Sequence, residues 1–279
     1  IKAAAIDVYS SEPPPADHPL LGLPNVVHVP HLGASTHEAE RDVGIQIVGQ
    51  VVNALRGTDY TYAVNMPFEL EGEYATVRPY LELAETLGRL HAGLADKPIR
   101  RVEVEVQGDV VGGLVRAIGA ALLKGLLEKD AEVAVNYINA PVLAHQRNIA
   151  MTQTVGINSL DYPNLIACRA VCDGGQRLLA GVLFGGTEPR IAQVDEYRLE
   201  ARPEGVVLIM KNRDVPGVIG QVGTLLAAYE VNIGEWRLGR NKPGGEALSF
   251  INLDAVPTEA VLRALGEIEA VTQVKVVHL

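Results

Sequence analysis

The sequence predicts a chain of mixed α/β and α+β class in three unlike parts: the end of a parallel sheet, an α+β domain, and a terminal βαββαβ sandwich. Three observations predict it. A strand, a proline-rich loop and a second strand deliver His31 to a strand end, just ahead of a long helical pattern. The middle of the chain shows apolar residues first at helical spacing and then in strand-like runs broken by glycine and proline. Residues 204 to 279 run strand, helix, strand, strand, helix, strand.

Composition bounds what such a chain does. Its 279 residues, 48% of them hydrophobic, suffice for roughly two or three domains with full cores. The net charge of −10 is spread without a basic face, which argues against nucleic acid and anionic membrane partners. No apolar run approaches the roughly 20 residues that span a bilayer and no signal peptide is visible, so a cytoplasmic protein is expected. Cys168 and Cys172 lie in one predicted strand, where four residues span about 13 Å, too far for a disulfide. They are expected to be two buried thiols, and no histidine or cysteine pair has metal-ligand spacing.

The first part, residues 1–65, is taken element by element. Ile1 to Val8 is an apolar run of the kind that forms an interior strand of a parallel sheet, from which a C-terminal piece of a longer polypeptide is expected. Ala3 to Val8 is a strand, Ser10 to Leu23 a loop stiffened by Pro13, Pro14, Pro15 and Pro19, and Val26 to Pro30 a second strand. Ligands of open parallel sheets bind at the carboxyl edge, so Asp7, Glu12 and His31 are placed to converge on one crevice. Gly33-Ala34-Ser35-Thr36 then opens a helix, with Ser35 or Thr36 as its cap ahead of Glu38. That helix is expected to end at Gly57, with Val43, Ile47, Val51 and Leu55 on one face, followed by an extended linker, Thr58 to Pro67.

Ala4-Ala5-Ile6-Asp7-Val8-Tyr9, Glu12-Pro13, Pro19-Leu20-Leu21, Asn25-Val26 and Pro30-His31-Leu32-Gly33-Ala34-Ser35-Thr36 with Glu38-Ala39 carry a resemblance. This run resembles the end of the Rossmann-type nucleotide-binding domain of NAD-dependent D-2-hydroxyacid dehydrogenases, most closely those acting on 3-phosphoglycerate. The resemblance implies His31 as catalytic acid/base, Glu12 as its partner, Asp7 beside the nicotinamide, Gly33 in the cofactor site, NAD as cofactor and 3-phosphoglycerate as substrate. The chemistry agrees. Oxidising a secondary alcohol by hydride transfer leaves a hydroxyl proton to remove, which suits an imidazole, and a carboxylate on the other ring nitrogen fixes its tautomer.

The family's glycine-rich phosphate loop and substrate-gripping arginine have no counterpart here. Arg41 lies beyond His31 with no motif support, and the glycines from Gly108 to Gly119 and from Gly217 to Gly223 do not match GxGxxG. This chain alone is therefore expected to be inactive. His18 and His28 lack the context of His31 and read as structural.

Residues 66–203 form the α+β part. Glu73 to Ala95 is a helix with Tyr80, Leu81, Ala84, Leu87, Leu90 and Leu94 inward, and Ile99 to Gln107 a strand burying Val102, Val104 and Val106. A helix from Leu114 to Leu127, a strand near Val133 to Ile138 and a helix opened by Asn139 and Pro141 follow. Strands are expected at Thr152 to Ile157, Leu165 to Cys172, Gln176 to Phe184 and Arg190 to Leu199. By position this part resembles the intervening domain of the longer dehydrogenases of that family, which implies subunit contacts and anion regulation. Arg147, joined by Lys124 or Arg169, is the candidate anion site.

Residues 204–279 form the sandwich. Strand Val206 to Lys211, helix Val218 to Tyr229, strand Val231 to Gly239, a turn at Asn241 to Gly245, strand Ala247 to Leu253, helix Thr258 to Glu269 and strand Gln273 to Val277 make a ferredoxin-like order. Val218, Ile219, Val222, Leu225, Leu226 and Tyr229 are assigned to one helix face. Asn212-Arg213-Asp214-Val215-Pro216-Gly217 and Val231-Asn232-Ile233 resemble the ACT domain, which binds amino acids. That implies L-serine as effector, held by Asn212, Asp214 and Asn232 across the interface of a homo-oligomer. A helix start at Pro216-Gly217 offers free N–H groups to a carboxylate, and Asp214 would hold the ammonium or cap the helix.

Two functions compete: the C-terminal part of a dehydrogenase of serine synthesis, or a stand-alone amino-acid-binding module without catalysis.

Overall fold

The computed structural model describes residues 1–56, 58–60, 62–67, 74–156 and 162–279. The expected helix stop at Gly57, helix start at Glu73 and strand end at Ile157 lie outside the described residues. The chain divides into two compact units, Ile1–Tyr62 and Ala63–Leu279.

In the first unit β1 (Ala4–Ile6) and β2 (Val26–His28) pair in parallel, Ala5 opposite Val27. The parallel pairing agrees with the sequence reading, but the buried interior strand does not appear. Among the described residues β1 has β2 alone as a neighbour, and Ala5 and Val27 face solvent. Helix α1 (His37–Leu55) starts where expected, with the Thr36 hydroxyl accepting from the Ala39 amide. The apolar face expected of it, Val43, Ile47, Val51 and Leu55, is at least half exposed at every residue. Spacing identifies an apolar stripe without supplying the surface that covers it.

The second unit opens with α2 (Tyr74–Leu94), all of whose predicted inward residues are buried. It crosses α4 (Val115–Leu127) with glycines at the contact. A Cβ on Gly125 would stand 1.9 Å from the Glu85 carbonyl oxygen, and one on Gly88 2.2 Å from that of Leu122. A short helix, α3 (Asp109–Gly112), precedes α4, and α5 is Ala140–Gln146. These helices accompany a six-stranded sheet in the order β4-β3-β5-β6-β7-β8. Its strands are β3 (Ile99–Gln107), β4 (Ala150–Val155), β5 (Leu165–Cys172), β6 (Gly175–Phe184), β7 (Glu188–Val194) and β8 (Tyr197–Ala201). Val102, Val104 and Val106 form a buried row on β3, as alternation predicts.

Three expectations fail here for local reasons. The strand near Val133 to Ile138 is a loop, because Asn136 and Asn139 satisfy nearby amides with their side chains: Asn136 Oδ1 accepts from the amides of Ile138 and Asn139, and Asn139 Oδ1 from that of Asn136. Asn139 consequently gives α5 no side-chain cap. The single strand Arg190 to Leu199 is two, folded at Asp195, whose φ of 51° makes the turn and whose carboxylate accepts from the Leu178 amide. Both cysteines are free. Burial pushes the Cys168 thiol pKa up, whereas Cys172 is only half-buried, contrary to expectation.

The terminal sandwich follows the predicted order: β9 (Val206–Arg213), α6 (Val218–Ala228), β10 (Ile233–Arg240), β11 (Glu246–Leu253), α7 (Glu259–Gly266) and β12 (Val271–His278). The sheet order β10-β11-β9-β12 is antiparallel throughout. Val218, Val222 and Leu226 on α6, with Val261 and Leu265 on α7, meet Leu208, Met210 and Ile251 in the core. Ile219 and Tyr229, assigned to the inward face, are exposed. Burial follows the narrower i, i+4, i+8 ridge.

Candidate functional site

In the first unit, β1 and β2 end side by side, and the loops after them build the site. The Asp7 carbonyl accepts from the His31 amide at 3.1 Å, and its carboxylate accepts from the amides of Leu32 at 2.6 Å and Gly33 at 2.8 Å. One aspartate thus clamps three successive residues. The clamp holds His31 in the left-handed region, at φ 56°. Such a backbone costs a non-glycine residue roughly 1–2 kcal/mol, a strain that structures retain where neighbouring contacts enforce it.

The His31 ring lies with Nδ1 3.4 Å from Glu12 Oε2, and the other carboxylate oxygen of Glu12 accepts from the Tyr9 amide at 3.2 Å. Nε2 is left on the far side of the ring. His31 and Glu12, about twenty residues apart in sequence, line one cleft of about 480 Å³ with Asp7 and the apolar walls Pro13, Leu21 and Val29. The arrangement can hold a histidine in one tautomer while presenting its other nitrogen to a ligand.

The sequence reading missed His28. The Tyr9 hydroxyl bonds its Nδ1, the two rings stack with centroids 6.1 Å apart, and His18 meets Tyr9 edge-on at 5.0 Å. His28 lines the same cleft, and its Nε2 is buried without a hydrogen-bond partner. Nothing in the spacing of His28 separates it from a structural histidine, so only its neighbours reveal it.

The candidate effector residues are already engaged. Asp214 Oδ2 accepts from the Gly244 amide at 3.0 Å and lies 3.4 Å from Arg240. It does not cap α6, whose N-cap is Gly217 at φ 92° with no side-chain bond. Asn232 donates to Asp254 at 2.6 Å. Asn212 is buried, donates to the Arg213 carbonyl at 2.8 Å, and leaves its Oδ1 without a partner.

The basic residues grouped around Arg147 are committed elsewhere. Arg147 donates to the Asp130 carbonyl at 2.7 Å, Lys124 to Glu85 at 2.7 Å, and Arg169 Nε is 3.6 Å from Glu103. Glu85 was not legible in the sequence either. It is buried, accepts from the Tyr137 hydroxyl at 2.5 Å, and lies 3.3 Å from Arg89. Burial, and then the Glu85 charge, push the Tyr137 hydroxyl pKa up, so it stays a donor.

Comparison with known proteins finds three family matches along the chain. Residues 1–33 match the NAD-binding domain of the D-isomer specific 2-hydroxyacid dehydrogenases, residues 76–195 the D-3-phosphoglycerate dehydrogenase intervening domain, and residues 206–270 the ACT domain. Over its whole length the chain is 37% identical to the D-3-phosphoglycerate dehydrogenase of Methanocaldococcus jannaschii and 35% identical to that of Archaeoglobus fulgidus, covering 53% of each. It is 34% identical to that of Synechocystis, covering 50%. The chain therefore spans about half the length of the curated relatives it matches. It carries, in order, matches to the 2-hydroxyacid dehydrogenase NAD-binding domain, the D-3-phosphoglycerate dehydrogenase intervening domain and the ACT domain.

Proposed function

We propose that this chain is the C-terminal part of an NAD-dependent D-3-phosphoglycerate dehydrogenase of serine synthesis, which oxidises 3-phosphoglycerate to 3-phosphohydroxypyruvate and answers to L-serine. The observation that carries the reading is the pairing of His31 with Glu12 across the mouth of the cleft. His31 Nε2 takes the hydroxyl proton of the substrate, and Glu12 holds Nδ1–H and stabilises the imidazolium that forms. Asp7 fixes the loop that carries His31.

The cleft suits the nicotinamide end of the cofactor, since its walls are apolar and Gly33 keeps the backbone beside Asp7 free of a side chain. NAD, when bound, accepts the hydride. These residues include no glycine-rich phosphate cradle, so the chain alone is expected to be inactive.

In the ACT domain, Asp214 and the α6 N-terminus lie at the Arg213 end of β9, whereas Asn232 precedes Ile233, which pairs with Leu253 opposite Val206 at the other end, so a single domain does not bring them together. A homo-oligomer that joins two ACT domains would complete the pocket. Homology over the full chain supports the reading, as does the domain series.

The test is a chimera in which this chain replaces the matching half of the Methanocaldococcus jannaschii relative. The reading expects turnover of 3-phosphoglycerate with NAD by the chimera and none by the chain alone. A soluble, folded chimera without turnover would favour a binding module.

A further inference from the structure

Beside His31 and Glu12 the first unit holds a second hydrogen-bonded pair, Tyr9 and His28. The β1–β2 ladder ends with Ile6 opposite His28, and the last backbone bond between the two segments runs from the His31 amide to the Asp7 carbonyl. Tyr9 lies beyond that bond. Its side chain turns back to β2 instead, where its hydroxyl bonds Nδ1 of His28 and its ring stacks on the imidazole, with His18 edge-on to it.

The backbone of the same residue holds Glu12. The Tyr9 amide donates to Glu12 Oε1 at 3.2 Å, and Glu12 Oε2 faces His31 Nδ1 at 3.4 Å. The contacts therefore follow one another from His28 to Tyr9, Glu12 and His31. Each member of the His31–Glu12 pair has its own brace, since Asp7 fixes the loop of the histidine and Tyr9 fixes the carboxylate. Both braces matter. The side chains of His31 and Glu12 are 64% and 40% exposed, and an exposed pair of this kind held by nothing else contributes little.

Burial secures the far end of the series. Nε2 of His28 is buried with no hydrogen-bond partner among the described residues, so losing the Tyr9 hydroxyl would leave both ring nitrogens unpaired. That cost keeps the hydroxyl in place.

We propose that Tyr9 and His28 are positioning residues for the His31–Glu12 pair: the hydroxyl–imidazole bond sets the backbone of residue 9, whose amide aims the Glu12 carboxylate at His31 Nδ1. Neither residue touches the reacting atoms. The coupling belongs to this chain's own geometry, and its bearing on proton transfer rests on the dehydrogenase reading. There it keeps the hydrogen on Nδ1 and leaves the Nε2 lone pair to the substrate hydroxyl.

The test reads the tautomer of His31 from its ring nitrogens by NMR, in the 279-residue chain at a pH well above the ordinary imidazole range. The wild type should hold the hydrogen on Nδ1. Tyr9→Phe, which keeps the ring and removes the hydroxyl, should shift the tautomer ratio toward Nε2–H by about twofold to tenfold, the range of one hydrogen bond's net worth. His28→Leu should do the same from the other side of the bond. In a Glu12→Gln background Tyr9→Phe should change the ratio no further, because the coupling runs through the carboxylate. A wild-type ring protonated on Nε2, a tautomer ratio unmoved by Tyr9→Phe or His28→Leu, or an equal shift with and without Glu12→Gln would each overturn the proposal. Neither substrate nor NAD enters the readout, so an inactive chimera would remove the dehydrogenase reading alone, and an unmoved tautomer ratio the coupling alone.

Discussion

A Cβ on residue 33 would stand 2.6 Å from Oδ2 of Asp7, so the Asp7 carboxylate can reach the amide of Gly33 only because that residue has no side chain. Gly33→Ala should push the carboxylate off the loop that holds His31. Hydrogen exchange at the amides of residues 31–33 should accelerate by about tenfold, the equivalent of about 1.4 kcal/mol, one hydrogen bond's net worth. An unchanged exchange rate would mean that the clamp does not hold the loop.

Gly125 and Glu85 mark the α2–α4 crossing. Gly125→Ala places a methyl against the Glu85 carbonyl and should cost about 1–3 kcal/mol, despite alanine's better helix propensity. Glu85→Leu leaves Lys124 without its carboxylate and Tyr137 without its acceptor, and should cost about 3–5 kcal/mol. Urea unfolding of each variant measures both.

His91 gives the second unit a predictable acid sensitivity. Burial lowers its pKa to about 4 in the folded chain, against 6.5 for the free side chain. The unfolded state therefore binds the proton first. The stability that a neutral His91 preserves is whole above pH 6.5 and falls by about 3 kcal/mol as pH drops to 4. In His91→Gln that part of the pH dependence should vanish, which chemical denaturation at pH 7.5, 5.5 and 4.5 would detect as a flatter profile than the wild type's.

The ACT reading predicts saturable heat on titrating L-serine into the chain. Asn232→Ala removes the side chain bonded to Asp254 at the head of β10 and should weaken the affinity about tenfold or more. An identical titration would remove Asn232 from the site.

Much of this molecule was legible in its residues, and the parts that were not share a cause. The βαββαβ order could be read because each element contains its own signal, such as Thr258 capping α7 or the glycine at the head of α6. His31 and Glu12 could be paired because strand ends of a parallel sheet converge. The loop from Val133 to Ile138 misled because alternating apolar residues suit a strand, and only the bonds of Asn136 and Asn139 show otherwise. His28 and Glu85 depend on contacts between segments far apart in the chain, which no local spacing encodes. Arg147 failed to gather its cations for the same reason, since each had a nearer carboxylate or carbonyl.

The most direct test of the account compares His31→Asn and Glu12→Gln in the chimera, following kcat and KM for 3-phosphoglycerate. The account predicts that His31→Asn lowers kcat by about 10²–10⁴-fold, that Glu12→Gln lowers it by a smaller factor, and that KM changes little in either. Full turnover in His31→Asn would contradict it.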